Sequence, residues 1–239
     1  QQPAAPEGLI GRWNFNEPSL AAGFVDGTGN NLMLANSGVV SGGAGIAGNS
    51  ADLNNSGDYA FIPDNSLLDA DGMSVSLWFR PDSAGQAANL LSKSRAAASN
   101  SWSLEQTSDG RLKFVVTTEG DASTSIVSSQ AVATGDWHHA VASYNSSLGR
   151  LELFVDGQLA AAQEGTVHGP IAYDNSPLFL GRRVVGAGTE LSALDGRVDE
   201  LQIYGSALTP GEIRFVHLHP DLAATPDAYV EGPLTLEID

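Results

Sequence analysis

Short runs in which apolar and polar residues alternate, each closed by a cluster of Gly, Asn, Asp or Ser, recur from Leu9 to Tyr204 and confine the chain to antiparallel β structure. A period of two sends successive side chains to opposite faces of a strand, so one face is buried and the other wetted. Strands are predicted over Leu9–Phe15, Asp58–Ile62, Met73–Arg80, Asn89–Ser94, Ser101–Gln106, Arg111–Thr118, Ser123–Ser128, Trp137–Asn145, Arg150–Val155, Leu178–Arg182 and Gly196–Tyr204. Asp109-Gly110 and Asp156-Gly157 fall where type I′ turn chemistry favours hairpins. One helix start stands out. Thr209-Pro210-Gly211-Glu212 offers an N-cap threonine, proline at the first helical position and glutamate three residues after the cap. The predicted class is all-β, with two antiparallel sheets and one short C-terminal helix.

A chain of 239 residues with 42% hydrophobic and 16% charged residues can bury a full core as one domain. No apolar run approaches the roughly 18 residues that a membrane span needs, so no membrane insertion is expected. Twenty-eight acidic against 11 basic residues give a net charge of -17, which repels phosphate backbones and argues against nucleic acid as a partner. The same charge suits cation binding or plain solubility. Cysteine is absent, which excludes disulfides, thiolate zinc sites and cysteine nucleophiles. A secreted protein without disulfides must tie its loops another way, and bound calcium is one option. Residues 1–7 are expected to be a Pro/Ala linker, 8–217 the domain, and 218–239 a linker or extension toward a neighbour in a larger multidomain protein.

Seven segments carry a family resemblance. They are Gly11-Arg12-Trp13-Asn14-Phe15-Asn16-Glu17, Asp26-Gly27-Thr28-Gly29-Asn30-Asn31, Asp58-Tyr59-Ala60-Phe61-Ile62-Pro63 and Ser74-Val75-Ser76-Leu77-Trp78-Phe79-Arg80-Pro81. They continue with Gly135-Asp136-Trp137-His138-His139-Ala140-Val141-Ala142, Leu153-Phe154-Val155-Asp156-Gly157 and Gly196-Arg197-Val198-Asp199-Glu200-Leu201-Gln202-Ile203-Tyr204. In this order, from about Gly8 to His217, they resemble the laminin-G-like, concanavalin A-like jelly-roll domains of bacterial multidomain proteins. The resemblance implies a jelly-roll sandwich. It also implies that the first loop and the last strand meet at a structural calcium ion.

The residues themselves point to the same places. Asp26 lies in a Gly/Asn-rich loop, Asn31 adds an amide oxygen, and the carbonyl of Thr28 would help complete an oxygen cage. Alternation puts Asp199 on the apolar face with Leu201 and Ile203, and a buried carboxylate there needs a partner. Glu17 is a further candidate ligand. The alternative is that Asp26 forms a turn and Asp199 pairs with Arg197 or Arg12, while Glu200 points to the opposite face and makes a surface pair. His138 and His139 are neighbours on a strand and face opposite sides, one in the core and one outward. Trp13, Trp78 and Trp137 are expected in the core. Trp102 follows the small-residue loop around Arg95, and Tyr173 lies in the long loop 164–177; both are candidate sugar-stacking rings. Arg182 and Arg183 would match an acidic glycan.

Catalysis is not expected. The Glu-x-Asp-x-x-Glu strand of related hydrolases is missing, and nucleophile-elbow, zinc-protease and phosphate-loop motifs are missing too. The expected function is a secreted or cell-surface, lectin-like binding module with a structural calcium and a glycan or other extracellular ligand. The alternative is an adhesive or spacer domain of a large extracellular protein, and a glycoside hydrolase comes last.

Overall fold

The computed structural model describes residues 8–18, 23–54, 57–83, 85–94, 100–120, 123–185, 189–191 and 193–224. In chain order the strands are β1 (Leu9–Trp13), β2 (Gly23–Phe24), β3 (Leu34–Ser37), β4 (Val40–Ala44), β5 (Asn49–Leu53), β6 (Tyr59–Ile62), β7 (Met73–Pro81), β8 (Ala88–Ser94) and β9 (Asn100–Gln106). They continue with β10 (Arg111–Thr117), β11 (Ser123–Ala131), β12 (His138–Asn145), β13 (Arg150–Val155), β14 (Gln158–Glu164), β15 (Leu178–Leu180), β16 (Arg183–Val185), β17 (Thr189–Leu191) and β18 (Gly196–Tyr204). One α-helix, α1, spans Pro210–Leu218. The first sheet runs β14-β13-β12-β7-β18-β5-β4, with β1 also paired to β18. The second runs β11-β10-β9-β8-β15-β6-β3-β2, and β16 and β17 form a separate hairpin. The neighbours within each sheet are antiparallel, as the hairpin signals required.

Alternation built the core. Val75, Leu77, Phe79, Ala140, Ala142, Tyr144, Val198, Leu201 and Ile203 of the first sheet meet Leu91, Trp102, Leu104, Phe114, Val116, Leu178 and Leu180 of the second in one cluster. A second apolar cluster lies on the outer face of the first sheet. There Ile213 and Val216 of α1 pack on Leu9, Val141, Phe154 and Tyr204. The predicted cap is in place: Thr209 Oγ1 accepts from Glu212 N–H at 3.3 Å, and the Glu212 carboxylate accepts from Thr209 N–H at 2.7 Å. The chain stays against the domain beyond the predicted boundary at 217. Ala224 N–H donates to the Tyr204 hydroxyl at 2.9 Å, and Gln202 Nε2 donates to Leu222 O at 3.0 Å.

Two turns behave differently. Asp156 (φ 51°) and Gly157 (φ 74°) both occupy the left-handed region, which is the type I′ turn joining β13 to β14. At Asp109-Gly110 only Gly110 is left-handed (φ 80°), and the connection is a wider turn closed by Gly110 N–H to Thr107 O at 2.9 Å. Strands β2, β3, β4, β5, β14, β16 and β17 fall outside the predicted ranges, and of these β3, β4, β5 and β14 are rich in Gly, Ser, Asn and Ala. Each of these four holds a single branched residue (Leu34, Val40, Leu53 and Leu159) and no aromatic, too little to make a strand legible.

The last strand departs from simple alternation. Along β7, Trp78 to Ser76 is two residues; the matching stretch of β18, Asp199 to Gln202, is three. The extra residue is a β-bulge, and Glu200 takes φ 47° to accommodate it. Asp199 therefore lies opposite Trp78, on the outer side of the sheet, while Leu201 and Ile203 point into the core. The expectation that Asp199 shares the apolar face is corrected by this single inserted residue.

Candidate functional site

On β6, Ala60 and Ile62 enter the core, so Tyr59 and Phe61 stand on the outer face of the second sheet. Phe179 on β15 pairs directly with Phe61 and stands beside it. The three rings form a compact patch, with centroids 6.1 Å (Tyr59–Phe61), 6.0 Å (Tyr59–Phe179) and 6.2 Å (Phe61–Phe179) apart. The chain leaves β15 over this patch. Ser92 Oγ donates to the carbonyl of Arg182 at 3.0 Å, and the Arg182 guanidinium lies 4.0 Å from the Tyr59 ring centre and 5.5 Å from that of Phe179.

The neighbouring residues on the same face are polar. Glu105 accepts from Ser103 Oγ at 2.6 Å and lies 3.9 Å from Arg183 and 3.8 Å from Lys113. Glu105 is the one acid in strands β6, β8, β9, β10, β11 and β15. A chain of net charge -17 thus presents here a face where Arg182, Arg183 and Lys113 outnumber the carboxylates. Arg182 and Arg183, singled out in the sequence, belong to this patch. Tyr59, Phe61 and Phe179 were not singled out, although the alternation in Tyr59-Ala60-Phe61-Ile62 already placed both rings opposite the core residues.

The other candidate rings lie elsewhere. Trp102 is 1% exposed and part of the core, since its register partner Val116 points inward. Tyr173 is packed against the same core, and its hydroxyl donates to Ala70 O at 2.9 Å. Burial raises its phenol pKa, with Asp69 and Asp71 acting in the same direction. Beside it Lys93, fully buried, donates to Asp64 at 2.9 Å and Ser176 O at 2.6 Å and lies 3.4 Å from Asp69. Both rings therefore serve packing. Arg95 lies outside the described residues. Trp78 faces outward under α1, where the ring of His217 stacks on it, while Trp13 is in the core.

The predicted calcium ligands hold separate positions. Asp26 accepts from Arg12 N–H at 3.2 Å, Thr28 N–H at 2.9 Å, Leu32 N–H at 3.2 Å and the Thr28 hydroxyl at 2.7 Å. Asn31 is exposed and donates to Gly29 O at 3.2 Å. Asp199 accepts from Ile46 N–H at 2.9 Å, Ala47 N–H at 3.0 Å and Glu200 N–H at 2.8 Å. A side chain at Gly45 would collide with its carboxylate. Neither Arg197 nor Arg12 pairs with Asp199: Arg197 lies 3.3 Å from Asp52, and Arg12 lies 2.9 Å from Glu200. Glu200 is 2% exposed and is a buried partner, not a surface one.

A calcium ion takes six to eight oxygens. Here both carboxylates are filled with N–H donors, whose positive ends repel a cation. Among the described residues no group of three or more His, Asp or Glu side chains is placed to hold a metal. Glu17 has one buried oxygen without a hydrogen bond and borders a hollow of about 180 Å³, but the Arg12 side chain forms part of the same wall. The donors as placed do not fit one ion shared by the first loop and the last strand.

Burial pushes the Asp199 pKa up to about 7, with the Glu200 carboxylate adding to the rise and the three amides opposing it. Burial also raises Glu200 in spite of Arg12. The histidine pair faces opposite sides, as alternation predicts, but the outward one is the more buried. His139, on the outer face beside Trp78 and His217, is covered by α1 and lies 2.9 Å from Ser76 Oγ. His138, on the Phe79 side, keeps 14% of its side chain exposed, with its Nδ1 2.8 Å from Asp156.

A family model described as the concanavalin A-like lectin/glucanases superfamily matches residues 54–214. No curated protein matches the chain by sequence. Among solved structures it is similar to the binding domain of Paraclostridial Mosquitocidal Protein 1, at 17% identity and TM-score 0.68, covering 88% of this chain and 52% of that one. It is similar to the receptor binding domain of botulinum neurotoxin D, at 15% identity and TM-score 0.67, covering 90% and 53%. It is also similar to domain 4 of AbnA, a GH43 extracellular arabinanase from Geobacillus stearothermophilus solved with arabinotriose. That match has 19% identity and TM-score 0.65, and covers 89% of this chain and 100% of that one. The chain spans about half the length of the toxin binding domains and the whole of the arabinanase domain. At these identities the likeness is one of fold.

Proposed function

The chain belongs to the concanavalin A-like lectin/glucanases superfamily, and from that premise we propose that it is a non-catalytic, extracellular carbohydrate-binding module. The sugar-binding face is the Tyr59–Phe61–Phe179 patch, and this patch is the observation that carries the reading. Sugar rings have an apolar C–H face and a rim of hydroxyls, so a binding surface for them needs aromatic area bordered by hydrogen-bonding groups. Tyr59 and Phe61, both half-buried, supply the area, backed by the buried Phe179; Arg182, which lies over Tyr59, supplies the border with Arg183, Glu105 and Lys113.

Glycosidic cleavage needs two carboxyl groups flanking the bond, and the strands around the patch contribute Glu105 alone. The arabinanase domain of matching length, solved with arabinotriose, supports the same reading. A place within a larger secreted or cell-surface protein accords with the toxin and arabinanase domains, each a part of a bigger molecule.

Calorimetric titration with arabinotriose, followed by a panel of plant and microbial glycans, tests it. Phe61→Ala should weaken binding about tenfold or more, equivalent to about 1.4 kcal/mol, with the melting temperature little changed. Binding that is indifferent to Tyr59→Ala and Phe61→Ala would move the function to an adhesive or spacer role.

A further inference from the structure

On the far side of the sandwich, a groove of about 690 Å³ runs between α1 and the β13–β14 turn, with Phe154, Asp156, Gln158, Pro210, Arg214 and His217 among its walls. That size suits a small ligand. Its walls are fixed before anything binds. Asp156 is held by the type I′ turn, with one carboxylate oxygen accepting from His138 Nδ1 at 2.8 Å and the other from His139 N–H at 2.8 Å. Each oxygen keeps a further lone pair, and the side chain is 44% exposed. His217 stacks on Trp78 with ring centres 5.4 Å apart and an angle of 14°, and lies 5.3 Å from His139. Gly157 closes beneath it; a Cβ there would come within 2.8 Å of His217 Cδ2. Proline at the first position of α1 fixes the entry of the helix.

The chemistry of these walls selects a class of ligand. Asp156 accepts hydrogen bonds, Arg214 donates them, and Gln158 does both. Burial keeps the His217 pKa below its ordinary value, so the formal charges at neutral pH are one carboxylate and one guanidinium. A polyanion would meet Asp156 and a polycation Arg214. Pro210 and Leu218, the latter 55% exposed, provide apolar area within the groove over the buried Phe154, and Leu159 is exposed next to Gln158. Donors and acceptors interleaved along an apolar floor are the complement of a neutral sugar, with hydroxyls at its edge and C–H groups on its face.

We propose that this groove is a second saccharide site, taking one or two units of a neutral glycan independently of the aromatic face, so that the module is bivalent. Two sites on opposite sides of one domain would let it bridge chains of a polysaccharide and gain avidity of about 10²–10⁴ without new contacts.

The test follows backbone amide shifts by NMR in the Phe61→Ala protein, where the aromatic face is disabled. Arabinotriose, xylotriose, maltotriose and cellotriose are added at about 10 mM, above a millimolar Kd. Saturable shifts at Gly157, Gln158, Gly211 and Arg214 with at least one sugar are expected. They should vanish in Gln158→Ala and Arg214→Ala, variants whose spectra report directly whether the fold is kept. In the wild-type background, retention on the matching insoluble polysaccharide should fall about tenfold or more in either groove variant. Silence of the groove amides with all four sugars, or shifts that survive both substitutions, overturns the proposal. The aromatic face is judged separately, by shifts at Tyr59 and Phe61 in the wild-type protein.

Discussion

Asp199 and Glu200, adjacent in β18, are both buried and serve two different segments: Asp199 holds the amides of Ile46 and Ala47 in the β4–β5 turn, and Glu200 holds Arg12 of β1. The left-handed conformation of Glu200 makes this possible, because it inserts a residue where β18 changes partners. The first part of β18, Gly196–Val198, pairs with β5; the later part, from Leu201, pairs with β1. The two carboxylates staple the fork where these neighbours separate.

Removing the staple should cost stability. Asp199→Ala leaves the N–H groups of Ile46 and Ala47 without their acceptor, at about 1–3 kcal/mol for each that stays buried and unpaired. Urea unfolding of the variant should show a lower midpoint with an unchanged slope. A midpoint equal to wild type would mean that water satisfies both amides.

Calcium should matter little to this fold. The amide-filled carboxylates of Asp26 and Asp199 predict the same melting temperature in chelator and in millimolar calcium, at matched ionic strength. A rise of several degrees with calcium, lost in Asp26→Ala, would show that the loop rearranges around an ion.

Acid sensitivity should trace to His139. Burial takes its pKa from 6.5 down to about 3, and nearby His217 pushes the same way. The unfolded chain therefore accepts a proton that the folded one refuses. This contribution to stability is full above about pH 6.5 and is lost progressively as the pH falls toward 3. His138 has the opposite sign. The hydrogen bond to Asp156 raises its pKa, so the stability it lends is full below the unfolded value and fades as the pH rises through the folded one. In urea midpoints from about pH 7.5 to 4, His139→Gln should gain on wild type as the pH drops. A constant difference across that range would show that His139 protonates without disturbing its site.

Lys93 acts as an internal cation joining β8 to the segments around Asp64, Asp69 and Ser176. Burial raises the Asp69 pKa even with Lys93 beside it. Lys93→Ala leaves these carboxylates uncompensated, and the loss should be about 3–5 kcal/mol. Lys93→Met, which keeps the volume, should cost less. Thermal unfolding of the two variants measures the difference, and equal losses would assign the effect to charge alone.

What the sequence determined by itself was set by local rules. Period-two alternation located most of the strands that form the core, Asp156-Gly157 specified its turn, and Thr209 to Glu212 specified the start of α1; β3 and β5, which add Leu34, Ala51 and Leu53 to the core, carried no such signal. These signals are legible because each depends on residues a few positions apart. Tertiary structure alone decided which outward residues meet. Tyr59 and Phe61 become a patch only when β15 brings Phe179 beside them, and Trp102 becomes core only through its register with β10. The bulge at Glu200 likewise has no local signature; it answers the competition of β1 and β5 for one strand, and it carries Asp199 from the expected apolar face to the outer one. Pairing between distant strands is fixed by how the whole core packs, and the candidate sites are made of those pairings.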